Sequence, residues 1–144
     1  MDAKKVLIGG GIIVLGVLAY ETAKADEYYE PSEVGATVPF QAIVCDTEVE
    51  VKTIAKAAHE SWEEGSNAFF TFHAAPNEKH EATCENEATP PIKILSKERL
   101  DTIIGQGQKV YMAWAVKATF PDGSDYWMMV AMKEKAPVEG EVKI

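Results

Sequence analysis

The stretch Lys109–Lys133, KVYMAWAVKATFPDGSDYWMMVAMK, carries two alternating runs around one turn. In the first run Val110, Met112, Trp114 and Val116 alternate with Tyr111, Ala113, Ala115 and Lys117. In the second, Tyr126, Met128, Val130 and Met132 share a face. A period of two marks strands. Between the runs, Pro121 fixes φ and Gly123 supplies a positive φ, so Phe120–Ser124 reads as a turn. The stretch therefore predicts an antiparallel hairpin of two long strands. Large side chains occupy both of its faces, so two things must cover it, or one face must stay open.

Working toward the N-terminus, Gly105-Gln106-Gly107 breaks whatever precedes the hairpin. SKERLDTII at 96–104 fits one helical turn or a further strand, and Ile92–Leu95 reads as a short strand. The polar run from Pro76 to Pro91 reads as a loop held by Cys84. Asn67–Ala75, NAFFTFHAA, reads as a strand with Ala68, Phe70 and Phe72 on one face. Before it, Thr47 and Glu50 stand in capping-box spacing. Val51, Ile54, Ala55, Ala58 and Trp62 then follow at helical spacing, with Gly65 as the natural end. Val38–Val44 reads as a strand, and Pro39 either places it at an edge or marks the strand's first turn. The sum predicts an α+β fold, with one main helix packed on an antiparallel sheet of four to six strands and a C-terminal β-hairpin.

The N-terminus concerns address. Lys4 and Lys5 precede the apolar and glycine run Val6–Tyr20, and Ala23-Lys24-Ala25 follows it. A basic region, an apolar region and an A-x-A site make up a secretory signal. A membrane-spanning helix needs about 20 apolar residues, and this run is shorter. Cleavage after Ala25 is the expectation, with an uncleaved N-terminal anchor as the alternative. Either way the rest of the chain, periplasmic or secreted, sits outside the cytoplasm. The expected organisation is a signal peptide or anchor at 1–25, a flexible acidic lead-in at 26–37, one α+β domain at 38–133 and a tail at 134–144.

Charge narrows the partners. The formal net charge is −9, and loss of residues 1–25, which hold three lysines and two acids, makes it −10. Such a chain is repelled by phosphate backbones, which excludes nucleic acid as a natural partner. A membrane enters only if the N-terminal segment is kept. A protein partner, and a cationic one in particular, is the expectation.

The two cysteines, Cys45 and Cys84, form an even pair in an exported chain and read as a disulfide. Asp46 follows Cys45, and Glu81 and Glu85 flank Cys84; carboxylates raise a thiol pKa, which argues against a reactive cysteine. His73 and His80 are weak metal candidates. His80 and Cys84 have ligand-like spacing, but a disulfide would consume the sulfur. No serine sits in a G-x-S-x-G setting, and no pair of carboxylates stands out. No catalytic residue and no cofactor are expected. Tyr111 and Trp127, if they lie on the hairpin face away from the helix, form an aromatic interaction surface.

Cys45-Asp46-Thr47 ahead of a helix, a second Cys in the following loop and a C-terminal hairpin resemble a loose group of small secreted bacterial proteins, over roughly residues 40–132. The resemblance implies export and a disulfide and carries no activity. The function expected is that of an exported small acidic binding or accessory protein of the cell envelope or extracellular space. The alternatives are an inhibitor of a cationic extracellular or periplasmic enzyme, and a small hydrolase or metal-dependent enzyme.

Overall fold

The computed structural model describes residues 27–74 and 82–135; the leader at 1–25, His80 and the last nine residues lie outside the described range. Residues 30–133 form the principal unit. In the small second unit Tyr28 bridges Glu134 in antiparallel fashion, and the Lys135 N–H donates to the Glu27 carbonyl at 2.6 Å.

The principal unit contains two helices and a six-stranded antiparallel sheet. In chain order the elements are β1 (Thr37–Val38), β2 (Gln41–Cys45), α1 (Glu48–Glu60), α2 (Trp62–Ala74), β3 (Cys84–Ala88), β4 (Ile92–Ile104), β5 (Val110–Thr119) and β6 (Asp125–Met132). The sheet order is β1-β4-β5-β6-β2-β3, and every neighbouring pair is antiparallel.

Only Pro39 and Phe40 separate β1 from β2, yet β1 pairs with β4 and β2 pairs with β6. The three Cα–Cα steps from Val38 to Gln41 span about 11 Å at most, well short of the four strand spacings of about 4.8 Å that a flat sheet would need, so the sheet has to curl until its first and fifth positions meet. Proline suits the bend because it has no N–H to place in a ladder. Phe40 is held there by Thr89, whose Oγ1 accepts the Phe40 N–H at 2.9 Å while its own N–H donates to the Phe40 carbonyl at 2.7 Å. Two register shifts in β4, at Ile94/Ser96 and Arg99/Thr102, add the bending that a curled sheet needs.

Curling explains why the hairpin strands are apolar on both faces. Val44, Ile94, Val116 and Met128 share the face turned away from the helices, by the register Val44↔Met128↔Val116 and Ile94↔Ala118, and all are buried. The opposite face, with Cys45, Ala113, Ala115 and Met129, receives α1 through Val51, Ile54, Ala55 and Ala58. Ala113 and Ala115 are fully buried beneath the helix, and their small side chains let it sit close. Complete burial of side chains such as Val51 and Ile54 contributes about 1.5–3 kcal/mol each.

Several expectations need correction. There are two helices of 13 residues rather than one main helix. Asn67–Ala75 is not a strand: the segment lies in α2 up to Ala74. The cause is a second cap. The Ser61 Oγ accepts the Glu64 N–H at 3.0 Å, and Glu63 and Glu64 sit in the first turn, where negative charge is favoured. Ser61 is itself extended (φ −169°, ψ 161°) and ends α1 by donating its N–H to Ala57. One residue thus closes one helix and opens the next. Gly65 accordingly lies inside α2 rather than at a helix end, and Trp62 starts α2 instead of completing the buried face of α1. Cys84–Ala88, expected as loop, is the edge strand β3, and 96–104 belongs to the long strand β4.

The Cys45–Cys84 disulfide is present, and both cysteines are buried. They are direct cross-strand partners in the β2–β3 ladder. The bond therefore ties two adjacent strands, not a helix end to a loop. At its N-terminus α1 carries the full capping box: the Thr47 side chain accepts the Glu50 N–H, and the Glu50 carboxylate accepts the Thr47 N–H at 3.1 Å.

Candidate binding groove

The turn at Ser61 folds α2 back against α1, and Gly65 sets how close it comes. A Cβ built on Gly65 would lie 2.6 Å from the Ala58 Cβ and 2.8 Å from its Cα. The two helices touch where no side chain fits. At its far end α2 is tied to the start of β3, where the Thr83 Oγ1 donates to the Phe72 carbonyl at 2.9 Å and the His73 Nδ1 to the Cys84 carbonyl at 3.1 Å.

Between α2, the end of α1 and the outer face of the sheet lies a groove of about 680 Å³. That is within the range of roughly 300–1,000 Å³ common for ligand sites. Its aromatic lining comes from Trp62, Phe69 and Phe70 on α2 and from Tyr111 at the start of β5. Trp62 is 45% exposed and Phe70 60%. Phe69 stacks on His73, with ring centroids 5.3 Å apart, and meets Phe70 edge-on at 5.3 Å. Tyr111 is held from behind by Gly105, where a Cβ would come within 2.6 Å of the phenol ring. The polar lining is amide and hydroxyl: Gln41, Asn86, Gln106 and Ser66. The Gln41 Nε2 donates to the Asn86 Oδ1 at 3.2 Å, which orients both amides.

None of the eighteen described residues that line it is charged, although charged residues make up 26% of the chain. At that frequency four or five would be expected. The groove is a neutral surface on an acidic protein.

The sequence-derived candidates fall in different places. Tyr111 lines the groove; Trp127 does not. Both are half-buried and pack against the cluster beneath α1, which puts them on the helix-bearing face. Lys117 places its ammonium 5.9 Å from the Trp127 ring centre. His73 points to the Cys84 carbonyl, and its pairing with His80 lies outside the described residues. Glu50 lies close to both cysteine sulfurs, but those sulfurs are bonded to each other and Glu50 is engaged in the helix cap. That trio offers no thiolate to a metal. What sequence reasoning missed was α2 and its contribution to the groove. The signal was present in the S-x-x-E spacing of Ser61 and Glu64, the same as that of Thr47 and Glu50.

A second hollow, of about 270 Å³, lies beside α1 and includes Lys52, Lys56, His59, Glu98 and Asp101. Its charges largely satisfy one another. Lys52 contacts Glu48 at 3.0 Å and Glu98 at 3.1 Å, and these hydrogen bonds, Glu48 first, raise its ammonium above the ordinary lysine value. The His59 Nδ1 donates to the Thr102 carbonyl at 2.6 Å, and its Nε2 lies 3.8 Å from the Asp101 carboxylate. These contacts clip α1 to β4.

Comparison with protein-family models, with curated proteins and with solved structures found no match. Among the described residues no helix is long and apolar enough to cross a membrane. The disulfide is consistent with a location outside the cytoplasm.

Proposed function

We propose that this chain is an exported binding protein of the envelope or extracellular space, without catalytic activity, and that it engages its partner through the groove between α2 and the sheet. The observation that carries the reading is the neutral, aromatic lining of that groove. A catalytic site needs a nucleophile or acid–base pair converging on a cavity. The groove offers amides, one serine and aromatic rings instead. The basic and apolar leader at 1–25 supports export, and so does the buried disulfide between β2 and β3.

The test uses Nile red, an uncharged dye, with the full oxidised chain. The dye should bind saturably with a blue-shifted emission, and Phe70→Asp, at an exposed position, should abolish the shift without changing the fold seen by circular dichroism. Unchanged emission with the native protein, or full binding by the variant, would overturn the reading.

The net charge of −9 favours a second reading, capture of a cationic enzyme as its inhibitor. The two readings separate in salt. Electrostatic capture weakens as screening rises, whereas occupancy of a neutral groove does not.

A further inference from the structure

We propose, building on that reading of the groove, that its ligand is a neutral oligosaccharide of equatorially linked pyranoses. The absence of charge among the described lining residues disfavours anionic ligands by their chemistry. Phosphates and carboxylates need a counter-charge when they leave water, and none is offered among the described lining residues; an ammonium group could rest on the ring faces but would leave the amides of the wall unused. A fatty chain prefers a closed apolar tunnel, whereas this groove is open and has amides along its wall.

A peptide is the nearest competitor. Extended peptides gain affinity by adding main-chain hydrogen bonds at a free sheet edge. The groove floor is chiefly the face of the sheet: Ile43 lies between Asn86 on β3 and Met129 on β6, in ladders already formed on both sides, and the edge strand β3 contributes only Asn86 to the described lining. A peptide backbone laid there would find only side-chain partners.

An equatorial pyranose fits both parts of the lining. Its two faces present C–H groups, which pack on the electron-rich faces of aromatic rings. Its rim presents hydroxyls, each a donor and an acceptor. Amides also carry both functions in one plane, and Gln41 and Asn86 are already oriented by their mutual hydrogen bond. Gly105 fixes Tyr111 from behind, and Gly65 fixes the distance of α2, and hence of Trp62 and Phe70, from the helix beneath. Platforms positioned in advance lose little freedom on binding.

The experiment titrates the full oxidised chain with cellotetraose and with tetra-N-acetylchitotetraose, followed by tryptophan emission and calorimetry. A tetra-galacturonate and an uncharged apolar peptide serve as comparisons. At least one neutral oligosaccharide should bind saturably and displace Nile red, with little change between low and high salt. Trp62→Ala should weaken it about tenfold or more, equivalent to about 1.4 kcal/mol, and Gln106→Ala should weaken it to a lesser degree. Nile red binding with no saturable binding of either oligosaccharide would sink the glycan assignment and leave the groove reading standing. Failure of Nile red itself would sink both. Tighter binding of the peptide or of the galacturonate, or oligosaccharide binding indifferent to Trp62→Ala, would also overturn the assignment.

Discussion

Substituting Gly65→Ala pits two effects of opposite sign against each other. In an exposed helix position the change would stabilise α2 by up to about 1 kcal/mol, because alanine is the better helix former. At Gly65 the new methyl would stand 2.6 Å from the Ala58 Cβ and 2.8 Å from its Cα. The second contact is backbone, so no side-chain rotation relieves it, and α2 must move. Overpacking of this kind costs roughly 1–3 kcal/mol. With the full helix gain subtracted the net expectation is destabilisation of about 0–2 kcal/mol, and each kcal/mol lowers Tm by about 4–8 °C in a domain of this size. Because α2 forms one wall of the groove, Nile red affinity should change as well. Ala58→Gly in the same chain removes the nearer atom but leaves the Cα, so it should rescue only part of the loss. Thermal and urea unfolding of the two variants against the parent measure all of this. A gain in stability for Gly65→Ala, with unchanged dye binding, would refute the reasoning, since it would mean that α2 does not rest on α1 at this point.

Three further outcomes follow from the same contacts. Replacing both cysteines, Cys45→Ala with Cys84→Ala, releases a loop closed over a separation of 39 residues; the chain-entropy estimate is a loss of up to about 4 kcal/mol, read by urea unfolding of the variant against the oxidised parent. Ser61→Ala removes the α2 cap and should cost about 1 kcal/mol, with helical signal lost by circular dichroism; an unchanged unfolding midpoint would count against the cap. Lys52 has its ammonium raised above 10.5 by Glu48 and then Glu98, so its stabilising contribution is complete below that value and is lost as pH climbs through the higher folded value. Lys52→Gln should therefore flatten the alkaline fall of the urea midpoint, and an equally steep fall in the variant would contradict the pairing.

How much of this was legible in the sequence varies by element, for physical reasons. The first helix could be read because cap and apolar face agree: Thr47 and Glu50 mark its start, and Val51, Ile54, Ala55 and Ala58 are buried together. The disulfide could be read from the cysteine count and the leader. The curl of the sheet could not, because it depends on Thr37–Cys45 serving two partners, β4 at one end and β6 at the other. A single strand's composition carries no record of how many neighbours it meets. The register shifts in β4 hid that strand for a related reason: bulges interrupt the alternation by which strands are recognised, so 96–104 fitted a helical turn equally well.

The misreading of α2 says the most about function. NAFFTFHA looked like a strand because it is rich in aromatic residues spaced almost alternately, and such residues usually mark a pleated, half-buried surface. In the structure they ride on a helix that is fixed by its ends, by Gly65 and by the half-buried Ala68, Phe69 and Phe72, which pack against the core; Gly65 is its single fully buried residue. Phe70 is more than half exposed and Trp62 nearly half, and those exposed faces contribute little to folding. Polar residues at those two positions would give the helix a clearer amphipathic pattern and a surface less prone to association. Folding therefore accounts for Phe69 and Phe72, which pack against the core, but not for the exposed faces of Phe70 and Trp62, which the proposed ligand would cover. The same separation runs through the charges. No described acidic group is in the groove lining, so the described acids act at longer range on solubility and encounter, while contact in the groove is left to uncharged rings and amides.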